Sequence, residues 1–185
     1  MNQNKLSIRY ARALFELSKD KNKIDTTYKD ILLINKTYQA IPDFGNFLVS
    51  PIIKASIKKK TLDLIFGKKI EVLTKNFLNL IIDNSRENFI FDITRRFIFL
   101  YKREKGIKTA VISTASKFNK IEKDRIVEIV GKTYNSKVEL EEKIKEELIG
   151  GFILRVDDKQ YDASVSNQLN KVKKELTDYN FEQKF

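Results

Sequence analysis

The sequence predicts a mainly α protein: an N-terminal six-helix bundle over residues 1–105, followed by a small α+β C-terminal domain over residues 106–185. Three observations predict it. Apolar residues recur at helical spacing through the first hundred residues, interrupted at Pro42, Ser50-Pro51 and Gly67. At Gly106 the pattern changes to short β-branched runs. The charge changes at the same place. Residues 1–105 carry 21 Lys and Arg against 11 Asp and Glu, a net of +10, whereas residues 106–185 carry 15 against 14. Such a split suggests two domains in different surroundings.

The first helix covers 5–19. Leu6, Tyr10, Ala13, Leu14 and Leu17 form one stripe, and Ile8, Ala11 and Phe15 form a second. A surface helix shows one apolar face. Two faces imply either a central position in the domain or a face that awaits a partner. A second helix covers 25–40 with Asp25 as its N-cap, and Pro42 ends it. Asp43 opens a short third helix through Phe44, Phe47 and Leu48. A fourth covers 54–66 with Ile57, Leu62, Ile65 and Phe66 apolar, and Gly67 suits the position after its end. The fifth, 70–84, places Val72, Leu73, Phe77, Leu80 and Ile81 together. The sixth, 87–104, is apolar nearly all round, with Phe91 and Ile98 opposite Phe89, Ile93 and Leu100. Lys102, Arg103 and Lys105 suit its C-terminus, and Gly106 stops it.

Beyond Gly106, residues 108–114 read as a strand, 119–134 as a helix with Ile126, Ile129 and Val130, and 137–141 as a half-exposed strand. Gly150-Gly151 then opens the apolar run Phe152 to Val156, a buried strand entered through a tight bend. Glycine belongs there because it adopts positive φ cheaply and lets another backbone pass close. A turn with Asp157 and Asp158, a short strand and a last helix with Val165, Leu169, Val172 and Leu176 on one face close the chain.

Composition narrows the chemistry. With no cysteine and no histidine there is no disulfide, no Cys/His zinc site, no histidine base and no cysteine nucleophile. Gly67-Lys68-Lys69 is not a P-loop, because position 62 is Leu and position 69 is Lys. Lys58-Lys59-Lys60 reads as a solvated basic face. Asp157, Asp158 and Asp162 read as a polar hairpin, without EF-hand spacing. Glu141-Glu142 and Glu146-Glu147 read as surface acids. No run reaches the roughly 20 apolar residues that span a bilayer. Met1 to Lys5 lacks the apolar core of a signal peptide, so the expectation is a protein that works where it is made. The basic first half leaves a nucleic-acid-binding module as one function class, although most of the excess Lys has a purely compositional reading.

The segment Leu148 to Leu176 resembles the C-terminal signature of the delta subunit of F-type ATP synthase, the family that includes the mitochondrial oligomycin-sensitivity protein. Arg9-Tyr10-Ala11-Arg12-Ala13-Leu14-Phe15 resembles that family's first helix, and Ser50-Pro51-Ile52-Ile53 and Ala115 sit where it has similar residues. Asp157-Asp158 departs from the family, which has a glycine and one acid at that turn.

The resemblance implies a non-catalytic stator subunit with no cofactor. It implies contact with the N-terminal helices of alpha subunits through the first domain and with b subunits of the peripheral stalk through the second. No nucleic acid is then a partner, and the protein is held at the cytoplasmic face of a bacterial membrane only through the complex. Tyr10, Ala13 and Leu17, with Phe91 and Ile98, are the candidate partner-binding residues, on the expectation that the first and sixth helices lie side by side and leave a groove. A small residue, Ala13 or Ala11, would let a partner helix approach, and Arg9, Arg12, Arg95 and Arg96 would make the rim basic. Gly150 and Gly151 are expected to serve the fold.

Overall fold

In the computed structural model, residues 3–115, 117–145 and 147–182 are described. They divide into two compact units, residues 1–105 and 106–185. The first holds helices α1 (Gln3–Asp20), α2 (Ile24–Ala40), α3 (Pro42–Val49), α4 (Ala55–Phe66), α5 (Val72–Asp83) and α6 (Ile90–Glu104), with a 3-10 turn over Glu87–Phe89 leading into α6. The second runs β1 (Ile107–Thr114), α7 (Lys120–Tyr134), β2 (Lys137–Ile144), β3 (Phe152–Val156), β4 (Lys159–Asp162) and α8 (Val165–Glu182). The described chain is mainly helical.

One core joins the helices of the first unit. Ala11 and Leu14 of α1 meet Ile31 and Ile34 of α2, Leu62 and Phe66 of α4, Leu78, Ile81 and Ile82 of α5, and Ile93 and Phe97 of α6. Rings fill the seams between helices. Phe15 meets Phe97 edge-on at 6.0 Å, and Tyr28 of α2 stacks on Tyr101 of α6 at 3.7 Å. A buried Asn35–Thr94 hydrogen bond of 2.9 Å ties α2 to α6.

Several helix ends differ from the sequence reading. Asp25 is not the cap of α2: it lies in the first turn, where its carboxylate accepts a hydrogen bond of 2.7 Å from the Tyr101 hydroxyl and pairs with Lys105 at 2.9 Å. Pro42 begins α3 rather than only ending α2, since its fixed φ suits a first helical position. Gly67 ends α4 in right-handed conformation, φ −54°, not the left-handed cap expected of glycine. Lys58 is buried, at 4% exposure, so the basic triplet is not a uniform solvated face. In α5, the buried stripe is Thr74, Leu78, Ile81 and Ile82, while Val72 and Leu80 face outward.

The second unit is a four-stranded sheet in the order β2-β1-β3-β4. β1 and β2 are parallel and joined by α7, while β3 pairs antiparallel with both β1 and β4. Asn119 caps α7 in a capping box with Glu122. The helix sets Val130 and Ile126 against Ala110, Val156 and Leu154 of the sheet. A two-residue turn, Asp157-Asp158, links β3 to β4, and Asp157 adopts φ +50°, a conformation a short acidic side chain tolerates. Asp157 also pairs with Lys108 across the sheet.

Gly151 has φ +77°, and a Cβ there would lie 2.2 Å from the Ala163 carbonyl oxygen. At Gly150 φ is unremarkable, and a Cβ would lie 3.1 Å from Val165 Cγ2. These glycines therefore let the chain entering β3 pass against the start of α8, where the Val165 N–H bonds to the Gly150 carbonyl at 3.0 Å. Ser164 receives the Asn167 N–H at 3.2 Å and so caps α8. On α8, Val165, Leu169 and Val172 are exposed. The side chain of Leu176, expected on the same face, lies outside the described residues, as does Glu146.

Candidate partner-docking groove

The apolar excess of α1 resolves into two faces. Ser7, Ala11, Leu14 and Ser18 turn inward and are buried. Tyr10, Ala13 and Leu17, spaced three and four apart, form a neighbouring stripe that the core leaves open, with Leu17 44% exposed. Facing it, α5 presents Phe77 and Leu80, the latter 49% exposed. Between them lies an open groove of about 370 Å³, lined by Arg9, Tyr10, Ala13, Leu14, Leu17, Phe77 and Leu80. Arg9 is the one charged residue of that lining among the described residues. On the outer side of α1, Lys5, Ile8, Arg12 and Glu16 surround a second depression that shares Arg9 and Ala13.

Neighbouring elements hold both walls. The N-terminus of α5 has no side-chain cap of its own. Asp30 of α2 supplies one from across the core, accepting the Glu71 N–H at 2.9 Å and the Thr74 hydroxyl at 2.7 Å. Lys23 adds an ion pair of 2.8 Å with Glu71. At the other end of α5, Arg86 reaches back to α1 and donates to the Tyr10 hydroxyl at 3.1 Å. The Tyr10 ring lies 6.3 Å from that of Phe77, so the two walls meet at the groove floor.

The structure brings Tyr10, Ala13 and Leu17 together but sends Phe91 and Ile98 elsewhere. Phe91 stacks on Tyr38 of α2 at 5.0 Å, the Arg95 guanidinium carbon lies 5.7 Å from the centre of the Phe91 ring, and Ile98 packs against the core. Helix α6 does pack on α1, yet it does so through the buried faces, as the Phe15–Phe97 pair shows. The second wall therefore comes from α5, not α6. Sequence reasoning missed Phe77 and Leu80 as that wall because it merged both apolar faces of α5 into one. The available signal was Leu78 and Ile82, which complete a separate inward stripe with Thr74 and Ile81. Arg86 carried no sequence signal.

Elsewhere the charges are used locally. Lys58 pairs with Glu87 at 2.9 Å, and Lys59 and Lys75 bridge to Asp83 and Asp63. In the second unit, the Lys123 ammonium and the Phe118 N–H hold the Glu142 carboxyl below the usual range. Bonds from Ser164 do the same for Asp162. Among the described residues no group of three or more acidic side chains is placed to hold a metal ion, and no helix is long and apolar enough to cross a membrane.

Helices around one core with an open groove, followed by a strand-helix-strand unit extended by a hairpin, define a two-unit helical and α/β fold class. The sequence profile of the ATP synthase delta (OSCP) subunit family matches residues 6–176, and the chain belongs to that family. It is 37% identical over 170 residues to ATP synthase subunit delta of Christiangramia forsetii, spanning 92% of each chain. It is 32% identical over 181 residues to the same subunit of Lactobacillus acidophilus, spanning 97% of this chain and 99% of that one. Its fold resembles a chain of the Toxoplasma gondii mitochondrial ATP synthase hexamer with a TM-score of 0.77 at 22% identity, over 93% of this chain and 97% of that one.

Proposed function

We propose that this protein is a stator subunit of an F-type ATP synthase, linking the catalytic head to the membrane sector so that proton flow drives ATP synthesis. The observation that carries the reading, beyond family membership, is the open apolar groove between α1 and α5. A groove of this kind takes an amphipathic helix through anchors at i, i+3, i+4 and i+7. The proposed occupant is the N-terminal helix of an alpha subunit. Tyr10, Ala13, Leu17, Phe77 and Leu80 supply the contact. Ala13 provides the close approach, because a methyl group lets another backbone come near. The second unit, residues 106–185, meets the b subunits of the peripheral stalk, and Gly150 and Gly151 serve its fold. The protein performs no chemistry, and it reaches the cytoplasmic side of the membrane only as part of the complex.

Docking of this kind is driven by apolar burial, which salt weakens little. A phosphate-binding module would lose affinity steeply with salt. Lys58, Lys59 and Lys75, engaged with Glu87, Asp83 and Asp63, favour the first reading. Titration of the alpha-subunit N-terminal peptide and of duplex DNA at low and high salt tests it. Peptide binding that persists at high salt supports the stator reading. DNA binding with a steep salt slope and no peptide binding overturns it.

A further inference from the structure

Arg86 stands just beyond the end of α5, and the backbone there is specifically turned. Ser85 takes φ +51° and its N–H bonds to the Ile82 carbonyl at 2.9 Å, while the Arg86 N–H bonds to the Ile81 carbonyl at 3.0 Å. The pair closes the last turn of the helix and reverses the chain. The Arg86 side chain then crosses to α1. Its Nη1 donates to Tyr10 Oη at 3.1 Å, and its guanidinium carbon lies 5.5 Å from the centre of the Tyr10 ring. One cation thus grips both the hydroxyl and the ring of a groove-lining residue.

We infer that Arg86 is a positioning residue that fixes Tyr10 as a hydrogen-bond donor for a carboxylate on the docked helix. The inference rests on the docking reading above and names the chemistry that the groove selects. A phenol oxygen that accepts from a guanidinium must turn its own proton away from that donor. The adjacent positive charge makes that proton a stronger donor, and the residue that carries it lines an open groove. The main-chain carbonyls inside a partner helix are already bonded, so the acceptor is a side chain. Arg9 is the one charged residue lining the groove, and no acidic side chain lines it among the described residues. An acidic acceptor therefore completes the site more strongly than a neutral one, and a basic side chain offers no acceptor at all.

The test is calorimetric titration of the full chain with a synthetic peptide of the cognate alpha-subunit N-terminal helix. Tyr10→Phe keeps the ring and removes the hydroxyl, and it raises Kd by about tenfold, the loss typical of one hydrogen bond to a charged group. Arg86→Gln does the same, Arg86→Lys falls between, and Tyr10→Phe with Arg86→Gln is no worse than either alone, because both remove one coupled interaction. Peptides in which each acidic residue in turn becomes its amide supply a readout that a merely structural role would not move. One such peptide binds the parent about tenfold more weakly and binds Tyr10→Phe no more weakly than the unchanged peptide does. Ala13→Trp, which fills the groove, separates the two levels of the argument. Loss of binding in Ala13→Trp with parental binding in Tyr10→Phe and Arg86→Gln overturns the role of Arg86 and leaves the groove standing. Additive losses in the double variant, or no amide peptide that distinguishes parent from Tyr10→Phe, also overturn it. Parental binding by folded Ala13→Trp overturns the groove itself.

Discussion

The Lys58 ammonium lies 2.9 Å from the Glu87 carboxylate, and both side chains are almost wholly buried. The pair joins α4 to the 3-10 turn that starts α6. Removing one partner leaves an uncompensated buried charge, which costs more than the pair contributes. Lys58→Met alone is expected to lower stability by about 3–5 kcal/mol, whereas Lys58→Met with Glu87→Leu lands near the parent or above it. Urea unfolding followed by circular dichroism measures both. A double variant as unstable as the single would mean that the shape of the two side chains matters more than their charge.

Gly151 combines φ +77° with a carbonyl oxygen 2.2 Å from where a Cβ would sit. Either feature alone strains a side chain, and here the obstacle is backbone that cannot swing aside. Gly151→Ala is expected to destabilise the second unit by about 1–3 kcal/mol. Gly150→Ala should cost less, because its obstacle is one Val165 methyl at 3.1 Å and its φ is ordinary. Denaturant unfolding of the two variants checks the order. Equal losses would contradict it.

The Tyr101 hydroxyl, and after it the Lys105 ammonium, hold the Asp25 carboxyl below the ordinary aspartate range. A depressed native pKa means that the unfolded chain binds more protons as pH falls, so the contribution is present above the unfolded value and lost on acidification. Glu104, Glu128, Glu142 and Asp162 are depressed in the same sense by Lys19, Lys132, Lys123 and Ser164. The melting temperature should therefore stay level near neutrality and fall below about pH 4. Tyr101→Phe isolates the Asp25 share. Its melting temperature should be lower than that of the parent at pH 7, with the gap narrowing at low pH. A gap that is constant with pH would remove Asp25 from the account.

The switch at Gly106, with φ +64° between α6 and β1, is the expected boundary of two domains that fold separately. Limited proteolysis should release a fragment of residues 1–105 that is almost entirely helical by circular dichroism. A fragment with a strong strand signal, or cleavage only inside α1 to α6, would contradict the division.

The order and type of the elements were legible because each rests on local chemistry: period 3.6 before Gly106, β-branched runs after it, and punctuation at Pro42, Pro51 and Gly67. The groove was half legible. The stripe of Tyr10, Ala13 and Leu17 could be read from α1 alone, since one core cannot use two apolar faces of a surface helix. Its partner wall could not, because neighbours are set by how helices pack, and α5 and α6 both carry apolar residues on more than one face. The same limit hid the difference between Ala11, which is fully buried, and Ala13, which is exposed two residues on. A Trp at Ala11 would therefore break the core, whereas one at Ala13 would fill the groove. Lys58 was misread for a related reason. A lysine in a basic run becomes a buried ion pair only because Glu87, distant in sequence, packs against it.

The central claim is that the α1–α5 groove ties this subunit to the catalytic head. Its most direct test is ATP synthesis driven by an imposed proton gradient, in membranes stripped of the subunit and reconstituted with purified protein. The parent chain should restore synthesis, and folded Ala13→Trp should leave ATP hydrolysis by the head intact while synthesis stays at the level of stripped membranes. Full restoration of synthesis by folded Ala13→Trp, at parental concentrations, would contradict the claim.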